Sequence, residues 1–162
     1  MSVKSRQINK VLLLVALLVG GLVFLAIKVN QASTNGPLKG KTAVVYRSPS
    51  CGCCANYITY LRRAGVQVEE KLTEDMTAVK KQFGVPEELA SCHTTRIENY
   101  TVEGHIPMEA IQKLLAEKPV TIAGIALPRM PSGSPGMPGA KYGTFDISEF
   151  TAAVSSSPYA SL

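Results

Sequence analysis

The chain has 162 residues, enough for one domain and an appendage, and with 6% aromatic residues and no Trp its core must rest on Val, Ile and Leu helped by a few Tyr and Phe. A net charge of +5 would suit a nucleic-acid partner, but Lys4, Arg6, Lys10 and Lys28 all lie in the first 28 residues, which contain no acid. Setting those four aside from the 17 basic side chains leaves 13 against 12 acidic ones, and no Arg-rich stripe with interleaved aromatics occurs, so the sequence argues against nucleic acid as a partner.

Val11 to Ile27 is an apolar run preceded by basic residues and followed by Lys28. It reads as a transmembrane or signal helix within residues 1–30. Lys10 and Lys28 are placed to snorkel and lengthen a short span. No A-x-A cleavage site and no lipobox cysteine follows, which favours an uncleaved anchor. Three basic residues before the run against one just after it place the N-terminus in the cytoplasm. Either reading exports the remainder, so the expected localisation is the periplasm, inner-membrane anchored or soluble after cleavage.

Residues 31–41 (QASTNGPLKGK) read as a linker. Thr42 to Arg47 follows as a short buried strand. Ser48-Pro49-Ser50 is a turn into Cys51-Gly52-Cys53-Cys54, and a helix to about Ala64 carries an apolar stripe at Cys54, Ile58 and Leu61. Gly65 is placed to cap it. Val66 to Leu72 is a second strand. Thr73 is the expected N-cap of a helix to Phe83, and Pro86 to Ala90 a further helical turn. Thr94 to Ile97 and Tyr100 to Gly104 form two strands, and Pro107 opens a helix ending near Glu117. The order β-α-β-α-β-β-α is that of a thioredoxin-like domain, spanning residues 42–150. Within that span, after the last helix, Val120 to Leu127 is a candidate strand, 128–139 a Pro/Gly/Ser/Met loop, and Tyr142 to Ile147 a candidate closing strand. Residues 151–162 read as a flexible tail.

Four cysteines in an exported chain first suggest two disulfides. Three of them fall within four residues, and a bond between the neighbours Cys53 and Cys54 is strained. A Cys51–Cys92 bridge would leave two cysteines unexplained. Cys51 and Cys54 also form a C-x-x-C pair at a helix start, where the dipole favours thiolate, as redox motifs require. Thioredoxin has proline where this chain has Cys53, so simple disulfide exchange is not the obvious chemistry. Three thiols on one turn with a fourth from elsewhere make a soft-ligand set, suited to Cu(I), zinc or iron–sulfur. Zinc generally takes a second C-x-x-C pair, which is missing, and a methionine-bearing loop favours Cu(I). Taken singly, Cys54 is a core thiol, His93 and His105 are loop histidines, and Met130 and Met137 fill gaps. The case rests on their combination. Met76 and Met108 are assigned to packing.

The runs Ser-Pro-Ser-Cys-Gly-Cys-Cys (48–54), Ser-Cys-His-Thr (91–94), Gly-His-Ile-Pro (104–107) and Met-Pro-Ser-Gly-Ser-Pro-Gly-Met (130–137) together resemble the CopG-like copper-resistance proteins. The resemblance spans about Thr42 to Ile147. It implies a thioredoxin-like fold, periplasmic location and a cysteine-ligated copper site, multinuclear in form, with a role in copper redox interconversion. The expected ligands are Cys51, Cys53, Cys54 and Cys92. His93, His105, Met130 and Met137 are further ligands or support them. Expected partners are copper ions, periplasmic copper-handling or electron-transfer proteins, and the membrane through the N-terminal helix. Three functions stay open: a copper-dependent oxidoreductase, a thiol–disulfide oxidoreductase using Cys51 and Cys54, and a copper storage or delivery module without turnover. For the four-cysteine site, Ser91-Cys92-His93 should enter the third strand beside the helix start, bringing the Cys92 sulfur within about 4–8 Å of at least one of Cys51, Cys53 or Cys54.

Overall fold

The computed structural model describes residues 17, 20, 36–153 and 156–162. The expected Val11–Ile27 membrane helix lies outside the described residues, apart from two of its positions. Among the described residues no helix is long and apolar enough to cross a membrane.

The fold is mixed α/β, with three α-helices and a seven-stranded sheet among the described residues. In chain order the elements are β1 (Thr42–Arg47), α1 (Gly52–Arg63), β2 (Gln67–Leu72), α2 (Met76–Gln82), a 3-10 turn (Glu87–Leu89), β3 (His93–Ile97), β4 (Tyr100–Glu103), α3 (Met108–Glu117), β5 (Gly124–Ala126), β6 (Asp146–Phe150) and β7 (Ser156–Ser161). The sheet order is β2-β1-β3-β4-β5-β6-β7. β1 runs parallel to β2 and antiparallel to β3, with Arg47 opposite His93, so the end of β1 that feeds the cysteine turn lies beside the start of β3. That register is what brings the two cysteine-bearing segments together.

α1 forms where the apolar spacing puts Cys54, Tyr57, Ile58 and Leu61 on one buried stripe. Arg62 and Arg63 sit in its last turn, where the helix dipole favours cations. Gly65, at φ +91°, stops it, and Val66 N–H returns to the Leu61 carbonyl. α3 presents Ala110, Ile111, Leu114 and Leu115 to the same core as Val45, Val102 and Ile125 of the sheet. A smaller cluster of Val85, Leu89, Ala126 and Phe150 adjoins it.

Four expectations need correction. Asp75, not Thr73, caps α2: its carboxylate accepts from Ala78 N–H at 2.9 Å, while the Thr73 hydroxyl oxygen accepts from Asp75 N–H one turn earlier. The end of the supposed 31–41 linker is docked, because Leu38 is buried in the core and its N–H bonds the Ala64 carbonyl. The candidate strands at 120–127 and 142–147 shrink or shift to β5 and β6, whose bounds are set by pairing rather than by hydropathy; Val120 is fully solvated. Residues 151–162 are not simply a flexible tail, since Ser156–Ser161 pairs antiparallel with β6. That strand is polar, carries Pro158 beside a register shift, and lies at the sheet edge, where proline and bulges are tolerated.

Candidate metal centre

Arg47 organises the turn that delivers the cysteines. Its guanidinium pairs with Glu70 at 2.5 Å and donates to the carbonyls of Ser48 at 2.8 Å and Pro49 at 3.2 Å. Cys51 N–H closes the turn onto the Ser48 carbonyl at 3.1 Å, and Cys51 then serves as N-cap of α1. Cys53 and Cys54 follow in the first turn of the helix, where the dipole favours thiolate. Cys51 and Cys54 are joined as a disulfide with Cα atoms 5.4 Å apart, and Cys53 and Cys92 are free thiols. The Cys51 and Cys53 sulfurs are 3.5 Å apart.

Cys92 arrives from the other side of the sheet register, on the residue before β3. The sulfurs of Cys51, Cys53, Cys54 and Cys92 all lie within 4.8 Å of one another. Cys54 is buried and the other three are half-buried. Cys92 Sγ is also 3.0 Å from His105 Nε2 and 3.4 Å from His93 Nδ1, and these three residues make a second compact group within the same 4.8 Å limit. His105 stands one residue past Gly104, at φ +76°, where a Cβ would come within 2.7 Å of the Leu127 carbonyl oxygen and strike Ser91. Glycine is therefore required for this turn.

Both histidines are buried. Their rings meet edge-on with centroids 4.8 Å apart, and Tyr57 packs on both, at 4.6 Å from His93 and 5.5 Å from His105. Tyr57 is held in turn by its hydroxyl donating to the Ile106 carbonyl at 3.0 Å. Burial, with smaller contributions from His105 and the Lys80 ammonium, holds His93 well below its ordinary value of 6.5. Burial also lowers His105, with the Pro135 carbonyl opposing. Burial, followed by the neighbouring Cys53, pushes the Cys92 thiol up to about 12. These groups are thus neutral in the free protein, and a cation held by Cys92 would displace its proton.

Behind Cys92 the fully buried Glu103 carboxylate accepts from Ser91 N–H at 2.7 Å, from the Thr94 hydroxyl at 2.6 Å and from Lys80 at 2.5 Å. These bonds fix the backbone on both sides of Cys92 and His93.

The loop after β5 returns to the cysteine turn. The Pro135 carbonyl is 2.7 Å from His105 Nδ1. Gly136, at φ +85°, lies so close to α1 that a Cβ would fall 2.7 Å from Tyr57 N and 2.9 Å from the Cys53 carbonyl oxygen. Met137 and Cys53 share an open cleft of about 720 Å³ with Asn56, Thr59, Tyr60 and Arg63. Met130 is half-exposed; the main-chain carbonyl of its neighbour Arg129 accepts from the Ser91 hydroxyl. The structure therefore gathers all four cysteines and both histidines, puts Met137 in the same cleft as Cys53, and leaves Met130 half-exposed. Sequence reading missed Tyr57, Glu103, Lys80, Arg47 and Pro135. Only Glu103 left a signal: an acid at the end of a short strand, directly before Gly104-His105.

These features define a mixed α/β protein whose cysteine cluster is able to hold a metal ion. Residues 89–137 match a family described as "Protein of unknown function, DUF411". The whole fold is similar to two solved structures of the copper resistance protein copG. Form 2 has 36% identity and a TM-score of 0.69, over 75% of this chain and 98% of that one. Form 1 has 37% identity and a TM-score of 0.68, over 75% and 96%. No curated protein sequence matches. The chain belongs to the CopG family of copper-resistance proteins.

Proposed function

We propose that this chain binds copper as its cargo through Cys51, Cys53, Cys54 and Cys92 and cycles it between Cu(I) and Cu(II) as part of copper resistance. His93, His105 and Met137 act as additional donors or supports, with Met130 at the mouth. The observation that carries the reading is the meeting of four sulfurs within 4.8 Å from two segments 38 residues apart in sequence. Thiolates are soft donors that favour Cu(I), and their number suits a multinuclear cluster with bridging sulfur. The nearby imidazoles supply harder donors for Cu(II). Electrons are exchanged with a separate periplasmic electron-transfer partner.

The domain at residues 42–150 is read as thioredoxin-like, supported by the order β2-β1-β3-β4 with one parallel pair and α1 starting at the C-x-x-C pair. Residues 1–30 are read as a membrane anchor or signal that places this domain in the periplasm. A periplasm-dependent reporter fused after Leu162 should be active; a mature protein that begins near Ala32 and is soluble would remove the anchor.

The test of function is Cu(I) and Zn(II) competition on the anaerobically reduced full chain. Cu(I) should bind more tightly, and Cys53→Ser should damage Cu(I) binding. A second reading, thiol–disulfide exchange, is favoured by the Cys51–Cys54 disulfide at the start of α1. It wins if Cys53→Ser binds copper normally while Cys51→Ser abolishes insulin reduction.

A further inference from the structure

The four-cysteine group and the Cys92-His93-His105 group share one sulfur but differ in chemistry. In the structure two of the four cysteines are tied up with each other, and the second group is untouched by that bond. We propose that Cys92, His93 and His105 form a distinct subsite for a borderline divalent cation such as Cu(II) or Zn(II), and that it stays complete while Cys51 and Cys54 are joined. This rests on reading the region as a metal centre, but not on Cu(I) binding by the four cysteines.

The donor geometry carries the inference. A carbonyl oxygen only accepts, so the 2.7 Å contact with Pro135 requires the His105 proton on Nδ1. Nε2 then holds its lone pair and faces Cys92 Sγ at 3.0 Å. An outer carbonyl that fixes the tautomer and aims the opposite nitrogen inward is the arrangement metal-ligating histidines use. His93 brings Nδ1 to 3.4 Å from the same sulfur. Its ring is fully buried, and its Nε2 has no hydrogen-bond partner among the described residues, so the nitrogen His93 offers to the ion is Nδ1, without an outer partner like the Pro135 carbonyl of His105. Tyr57 backs both rings and holds them nearly perpendicular, at 88°, which limits their rearrangement.

Spacing agrees with shared ligation. An ion about 2.3 Å from sulfur and about 2.0 Å from each nitrogen, with tetrahedral angles, separates such donors by about 3.5 Å. The observed 3.0 and 3.4 Å need only a small expansion. One thiolate with two imidazoles is harder than a thiolate cluster, so it suits Cu(II), Zn(II) or Co(II) over Cu(I). Because Cys92 belongs to both groups, the two sites compete for one sulfur. The Cys51–Cys54 disulfide removes two thiolates from the Cu(I) side and none from the divalent side.

Co(II) is the probe, since a cobalt–thiolate bond gives a charge-transfer absorption that histidine-only or surface binding lacks. The full chain is prepared with the Cys51–Cys54 disulfide, verified by peptide mapping, and titrated with Co(II). The expected result is a thiolate charge-transfer band saturating at one ion per chain. His93→Gln and His105→Gln should each weaken binding by at least about tenfold, whereas Cys53→Ser should keep the band. No band in the disulfide form, a band indifferent to both histidines, or a band lost with Cys53 overturns the subsite. Should a histidine variant fail to fold, zinc-edge X-ray absorption of the wild-type chain decides instead. One sulfur with two imidazole nitrogens supports the subsite; a sulfur-only shell overturns it. Cu(I) titration of the reduced chain is run in parallel. Its failure removes the proposed function and leaves the Co(II) result to stand or fall by itself.

Discussion

Glu103 places a carboxylate where water does not reach, and three donors compensate it: Lys80, the Thr94 hydroxyl and Ser91 N–H. Removing the acid would strand all three. Glu103→Ala should therefore cost about 3 kcal/mol in urea unfolding of the metal-free chain, because a broken buried pair leaves an uncompensated charge. Lys80→Met combined with Glu103→Leu should recover part of that loss; a Glu103→Ala cost below about 1 kcal/mol would show that the network does not hold the strand entry. The titrating residues predict a second behaviour. His93 and His105 are lowered by burial, so the folded chain keeps them neutral while the unfolded chain protonates them below about 6.5. Their contribution is fully present above that pH and is lost as pH falls. Cys92 is raised to about 12, so its contribution is fully present below its ordinary value of 9.0 and is lost as pH rises toward 12. Thermal unfolding of the metal-free chain with its disulfide intact should peak between these limits. His93→Gln should flatten the acid side, and an acid limb unchanged by that substitution would contradict the assignment.

At the scale of elements, the site is a junction of three pieces: the first turn of α1, the entry to β3 with the exit of β4, and the loop that returns through Pro135 and Gly136. The first two were legible because local chemistry marks them. An apolar stripe and Gly65 define α1, and the short turn Glu98-Asn99 separates β3 from β4. The cap of α2 was misplaced because Thr73 and Asp75 are both competent, and only the observed bond to Ala78 N–H selects Asp75. The methionines of the return loop mark it as a source of soft donors, but its fixed points are a carbonyl and a glycine, which carry no side-chain signal. Gly136→Ala tests whether that approach matters. Its Cβ would collide with the backbone of Tyr57 and Cys53, so the loop must lift and the Pro135 contact to His105 must lengthen. The expected effect is about 1–3 kcal/mol of destabilisation together with weaker Cu(I) retention by the reduced chain. Gly143→Ala is the control, since Gly143 also has positive φ, +72°, but nothing within 4 Å of the added carbon. Equal loss of copper in both variants would mean that backbone strain alone, not contact with α1, was responsible.

Across the whole molecule, the sheet is wider than the β-α-β-α-β-β-α order anticipates, and the added strands carry none of the proposed ligands. β5, β6 and β7 extend it beyond β4, and the last strand was not legible: Ser156–Ser161 is polar, contains Pro158, and has no apolar alternation to mark it. What makes it a strand is the partner. β6 offers a free edge, the Phe145 and Leu162 backbones exchange bonds at 2.7 and 3.1 Å, and Tyr159, Ala160 and Leu162 pack against the main core. Such pairing is set by tertiary context, which outweighs local propensity in strands. The proposed ligands all precede Pro138, so the strand should stabilise the domain without taking part in copper binding. Deleting residues 151–162 should expose the β6 edge and the core surface now covered by those three side chains, lowering stability by about 2–4 kcal/mol. The deletion should also raise the tendency to associate through the uncovered edge. The number of Cu(I) ions held by the reduced, folded deletion variant should equal that of the full chain, measured by metal analysis after gel filtration. A folded variant that holds fewer ions would mean that β7 positions the return loop, and that the sheet extension belongs to the metal centre.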